Sequence, residues 1–254
     1  MIHALSREGI GRIDAILARK PLLAFDIDGT LAPIVSQPGE ARLPDAIQRC
    51  LDVLASRSDV AIVTGRAAQD ARSLLAFTPR YVVGNHGAEG VPAWAGRSSA
   101  FVQIVRGWHD ALRACVSLAE TGVMIEDKRY SLSLHYRQAP DWDAARRAIR
   151  DCIDRLRPNP KIIDGKAVVN LLTPDAPNKG DALRALITGS PTSSAIYVGD
   201  DDTDERVFEL TLPDVLTIRV ERDDSSRAAL FLHDQGEVLP LLRHMVDRGP
   251  APAR

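Results

Sequence analysis

Cysteine is scarce in this chain of 254 residues: Cys50, Cys115 and Cys152 are all it has, and no two of them form a CxxC pair. A disulfide scaffold is therefore not expected. Each cysteine falls among apolar residues of an expected helix, where a free thiol packs as a small hydrophobe. Long apolar runs are missing too, none approaching the roughly 20 residues that span a bilayer. The opening MIHALSREGIGRIDAILARK is a charged, helical lead-in without the apolar stretch of a signal peptide. Nor do like charges form a block, since 32 basic residues balance 34 acidic ones. These absences predict a cytoplasmic protein with neither nucleic acid nor a membrane as partner; no oligomeric partner is implied, and a monomer is expected.

What is present turns on residues 22–33, LLAFDIDGTLAP. An apolar run, Leu22 to Phe25, reads as an interior strand of a parallel sheet. Asp26 and Asp28 follow, and then a Gly-Thr pair that must bend the backbone. Ligands of such sheets bind beyond the carboxyl ends of the strands, and on an extended segment residues at i and i+2 point the same way. Two carboxylates about 4 Å apart repel by about 4 kcal/mol at a surface-like dielectric, so a cation is expected between them. DIDGT after a buried strand resembles the nucleophile motif of haloacid-dehalogenase-like phosphatases. That resemblance implies that Asp26 attacks phosphorus and Asp28 shuttles a proton.

The chain is long enough for one large or two modest domains. Strands at 60–63 and 81–83 alternate with helices at 43–56 and 67–75, the rhythm of a parallel sheet covered by helices. Past residue 93 the rhythm changes. One long amphipathic helix is expected over 98–120, then a hairpin of VMIEDKR and YSLSLHYR, a helix over 141–157, and a second hairpin turning at Asp164-Gly165. The sheet pattern resumes with a helix at 179–187, a strand at 195–198, a helix at 203–210, a strand at 215–220 and a closing helix at 235–247. The expected architecture is α/β: a Rossmann-like parallel-sheet core of the haloacid-dehalogenase-like type, residues 1–93 and 174–254, with an inserted αββαββ cap, residues 94–173.

Four separated pieces fall at strand ends or helix starts: Asp26 with Asp28, Thr64, Lys179, and the run Asp200, Asp201, Asp204. Phosphoryl transfer needs an in-line nucleophile and cationic support for the non-bridging oxygens. Asp26, the carbonyl of Asp28 and Asp200 offer Mg²⁺ three oxygen ligands. Thr64 and Lys179 suit the phosphate, and Asp204 completes the catalytic set.

A more particular resemblance, to trehalose-6-phosphate phosphatases, covers residues 22–245. FDIDGTLAPIV (25–35), TGR (64–66), GNHGAEG (84–90), EDKRYSLSLHYR (126–137), GKAVVN (165–170), NKGDAL (178–183) and GDDDTDE (199–205) carry it. The resemblance implies a small-molecule sugar phosphate as substrate, with the cap holding the non-reacting glucose. It assigns Gly65, Arg66, Asn85 and His86 in the core, and Glu126, Lys128, His135, Arg137, Lys166 and Asn170 in the cap, to substrate. Asn170 departs from the usual Glu and so lacks its charge. A sugar phosphatase acting on sucrose phosphate or mannosylphosphoglycerate fits the same pattern. A phospho-accepting or sugar-phosphate-sensing module also gathers acids and a lysine, but it needs neither the DxD spacing nor the insertion.

Overall fold

The computed structural model describes residues 1–35, 40–94, 96, 98–165, 167–190 and 193–249. The chain forms two compact units: Met1–Ala93 with Pro177–Arg254, and Trp94–Ala176 between them in sequence.

In the first unit, β1 (Ile2–His3), α1 (Arg7–Leu17), β2 (Leu22–Phe25), α2 (Asp45–Ala55), β3 (Val60–Val63), α3 (Ala68–Leu74) and β4 (Tyr81–Val83) come first. After the second unit follow α7 (Lys179–Thr188), β9 (Ala195–Gly199), the single turn α8 (Glu205–Phe208), β10 (Val215–Val220), β11 (Leu230–Leu232) and α9 (Val238–Arg248). Among the described residues these strands make one parallel sheet in the order β1-β11-β10-β9-β2-β3-β4. LLAF, VAIV and AIYVG are buried throughout, as strands covered on both faces must be. From β2 the chain runs one way to β3 and β4; from β9 it runs the other way to β10 and β11. A crevice for ligands opens at the carboxyl edge where the order reverses, and β2 and β9 flank it.

The edge strand β1 and its neighbour β11 were not expected from sequence. Ile2–His3 is too short to show a period, and it becomes a strand only by pairing with Leu230 and Phe231. The expected helix over 203–210 shrinks to Glu205–Phe208, because the acids before it fold into a hydrogen-bonded loop.

The second unit contains α4 (Ser98–Arg113), α5 (Val116–Ala119), β5 (Met124–Asp127), β6 (Ser131–His135), α6 (Trp142–Ile153), β7 (Lys161–Gly165) and β8 (Val168–Leu172). Its antiparallel sheet runs β5-β6-β8-β7. One face carries Leu132, Leu134, Val169 and Leu171, which pack with Trp108, Leu112 and Ile149 of the helices. The opposite face carries a lateral row, Glu126–Ser133–Asn170–Ile163, set by the register.

Three expectations for this unit are corrected. The long helix ends at Arg113, because Cys115 is extended (φ −81, ψ 100). Cys115 and Cys152 are joined in a disulfide, while Cys50 remains a free thiol. Their 37-residue separation carried no sequence signal, yet the fold brings their Cα atoms to 6.5 Å, within bridging range. The second hairpin does not turn at Asp164-Gly165, which pair with Val169 and Val168; the turn contains Ala167 at φ +62.

Candidate active site

Lys179 opens α7 behind an Asn178/Asp181 capping box and is 1% exposed. Its ammonium donates 2.8 Å hydrogen bonds to Asp26 Oδ2 and to Asp204 Oδ1, and lies 3.7 Å from Asp201 Oδ1. The loop after β9 thus meets the end of β2 through one buried cation. Burial alone would push the lysine's pKa down, but Asp201, Asp204 and Asp26 outweigh it and hold the group well above its ordinary value.

The acids divide by environment. Asp26 is driven well upward, first by burial, with Lys179 opposing and Asp204, Asp201 and Asp200 adding to the rise. Asp200 rises to about 7 through burial and Asp204, against a 2.8 Å hydrogen bond from the Thr30 hydroxyl. Desolvation also raises Asp201, yet Lys179 and Thr203 hold it well below the usual carboxylate range. Asp26, Asp201 and Asp204 each bring a carboxylate oxygen within 4.8 Å of the others. Such crowding of oxygens around a single lysine is costly without further positive charge. Only oxygen donors are involved, as a hard divalent cation requires. Gly29, at φ +82, lies so close beneath Asp200 that a Cβ there would stand 2.0 Å from Oδ2. The loop therefore admits no larger residue against that carboxylate.

Asp28 has a cation of its own. Arg66 donates from Nε to Oδ2 at 2.7 Å and from Nη2 to Oδ1 at 2.6 Å, a two-pronged pairing that orients the carboxylate. Each acid thus meets a cationic side chain, Lys179 at Asp26 and Arg66 at Asp28. Thr64, buried at the end of β3, accepts the Arg66 backbone N–H.

Loop 84–89 folds over this corner: Asn85 N–H donates to Arg66 O, and His86 N–H to Thr64 O. A Cβ on Gly65 would meet the His86 ring at 2.4 Å. Asn85 is buried, and its Nδ2 donates to Glu89 Oε2, which also accepts the Ala68 N–H at the start of α3.

Within the second unit, Glu126 Oε2 accepts from His135 Nε2 at 2.7 Å and lies 3.7 Å from Lys128 Nζ. Arg137 lies in an exposed turn beyond the end of β6. Asn170 is engaged at both ends: Oδ1 accepts from Ser133 Oγ at 2.6 Å, and Nδ2 donates to Ile163 O at 3.3 Å. Lys166 lies outside the described residues.

Sequence reasoning passed over Thr30, Tyr197 and Glu89. Thr30 stands inside the DIDGT motif and could have been found there. Tyr197 reads as one more apolar residue of a buried strand, and nothing in the pattern reveals that its hydroxyl reaches Asp204 at 2.5 Å.

A parallel sheet that reverses at β2, with its acids and one shared lysine loaded on the carboxyl edge there, is the arrangement of the haloacid-dehalogenase-like phosphatase class. The comparisons narrow it. A family model described as "Trehalose-phosphatase" matches residues 24–229, and the chain belongs to that family. A trehalose-phosphate phosphatase of Mycobacterium bovis is 30% identical over 241 residues, covering 89% of this chain and 61% of the relative. The chain thus spans somewhat under two thirds of that relative's length. A crystal structure of a trehalose-6-phosphate phosphatase related protein superposes with a TM-score of 0.68 at 25% identity, covering 89% of this chain and 97% of that one. The C-terminal domain of a Candida albicans trehalose-6-phosphate phosphatase shares the fold, with a TM-score of 0.69 at 22% identity over 97% of this chain and 98% of the other.

Proposed function

We propose that the chain hydrolyses trehalose 6-phosphate to trehalose and inorganic phosphate through an aspartyl-phosphate on Asp26. The observation that carries this reading is the buried bridge from Lys179 to both Asp26 and Asp204, found in a member of the trehalose-phosphatase family. A carboxylate held beside a fixed ammonium is placed to attack phosphorus while the lysine supports the charge that develops on the phosphoryl oxygens. Mg²⁺, held by Asp26, the Asp28 carbonyl and Asp200, would neutralise phosphoryl charge when bound.

In the first step an Asp26 oxygen bonds to phosphorus and the bond to the sugar oxygen breaks, with Asp28 giving its proton to the leaving alkoxide. Water then attacks the phosphorus; Asp28 takes the water's proton, the acyl-phosphate bond breaks, and Asp26 is restored as phosphate departs. Thr64 donates a hydroxyl hydrogen bond to the phosphate. Glu126, Lys128, His135 and Arg137 belong to the substrate-recognising cap in this reading, with Gly65, Arg66, Asn85 and His86 as core contributors and Lys166 and Asn170 as further cap positions. Arg66 acts by orienting Asp28. Asn170 contributes by fixing Ser133.

A panel of phosphate esters, each with and without Mg²⁺, tests the reading. Preferential release of phosphate from trehalose 6-phosphate, lost with EDTA and restored by Mg²⁺, is the expected result. Equal or faster turnover of sucrose phosphate or mannosylphosphoglycerate would reassign the substrate, and a single stoichiometric phosphorylation without turnover would remove the enzyme.

A further inference from the structure

Asp204 is fully buried, and four donors fill its carboxylate. Oδ2 accepts the backbone N–H groups of Asp200 at 2.9 Å and Asp201 at 3.1 Å. Oδ1 accepts Lys179 Nζ at 2.8 Å and the Tyr197 hydroxyl at 2.5 Å. Gly199 makes room for this packing, since a Cβ there would stand 2.4 Å from Asp204 Cγ.

Tyr197 occupies the middle of β9, paired in register with Ala24 and Thr217, at 0% exposure and edge-on to Phe208 at 6.1 Å. Ile196 and Val198 point to the opposite face of the strand and pack in the core there, whereas Tyr197 faces Phe208. The Tyr197 hydroxyl has a specific consequence. Asp204 and Asp26 compete for the one ammonium of Lys179, and a second donor on Asp204 Oδ1 offsets part of that oxygen's charge. The lysine then stays shared with Asp26 instead of being captured by Asp204.

We infer that Tyr197 is a positioning residue for phosphoryl transfer: by donating to Asp204 it keeps Lys179 directed at Asp26. This rests on the function proposed above and deepens it. Tyr197 touches no reacting atom, so its effect should pass through Asp204 and appear in the chemical step rather than in sugar recognition.

The test is Tyr197→Phe, which removes one oxygen and keeps the ring. Expected is a fall in kcat of about tenfold, the scale of a hydrogen bond to a charged group, with KM for trehalose 6-phosphate within about threefold of the parent value. Turnover of p-nitrophenyl phosphate should fall by the same factor, because the defect lies in the core. In an Asp204→Asn background the same substitution should cost less than about twofold, as expected for residues acting as one unit.

A kcat within twofold of the parent overturns the inference, and so does a loss that multiplies fully with that of Asp204→Asn. A variant without a cooperative thermal transition would assign the hydroxyl to the fold and also overturn it. Failure of the underlying function would look different, since the unsubstituted protein would then turn over no phosphate ester.

Discussion

At the residue scale, the roles proposed for the acids rest on what each one touches. Asp26 and Asp28 are two positions apart, yet Asp26 is buried against Lys179 while Asp28 is held by Arg66 at a partly exposed position. Fixed beside an ammonium, the first suits a nucleophile; the second, near solvent, suits proton exchange. Asp26→Asn should therefore reduce turnover by at least about a thousandfold while leaving a cooperative thermal transition. Steady-state phosphate release together with a melting curve checks this, and ordinary activity in the variant would remove the mechanism. The DIDGT motif made this much legible because the end of a strand and its turn are local features. Which cation each acid meets was not legible, since Lys179 lies 153 residues from Asp26 and Arg66 lies 38 from Asp28.

At the element scale, the edge of the core sheet is tied together by Glu237. It accepts from His3 Nε2 at the end of β1 at 2.9 Å and from the His233 backbone N–H beyond β11 at 2.7 Å. Burial would raise its pKa, but these partners prevail and the net shift is downward. A depressed folded-state pKa stabilises the fold above the unfolded value of about 4.3, and that contribution is lost as pH falls through the lower, folded value. The difference in melting temperature between the parent and Glu237→Gln should be present at neutral pH and shrink below about pH 4; a difference independent of pH would contradict this. The Cys115–Cys152 bridge joins the residue ahead of α5 to α6. Non-reducing denaturation should expose one titratable thiol, Cys50, and reduction should raise the count to three. Three thiols without reduction would show the bridge to be open in solution. Neither tie has a sequence signature: His3 and Glu237 are 234 positions apart, and the two cysteines lie outside any paired motif.

At the scale of the whole molecule, the chemistry assigned to the core and the recognition assigned to the inserted unit should separate kinetically. Lys128→Ala and Arg137→Ala remove charged groups from the inserted unit, so each should lower kcat/KM for trehalose 6-phosphate by about 10- to 100-fold. Turnover of p-nitrophenyl phosphate should change by less than about threefold. Equal losses on both substrates would argue against a recognition role. By itself the sequence determined the α/β class, the parallel core with its antiparallel insertion, and the family, because apolar periodicity and strand-end motifs are written within a few neighbouring residues. Only the tertiary structure decided that β1 and β11 complete the sheet, that Cys115 meets Cys152, that Asn170 bonds to Ser133, and that Tyr197 reaches Asp204. Each of those pairings depends on strand order and on side chains brought together from separate elements, and no local pattern of residues encodes such distances.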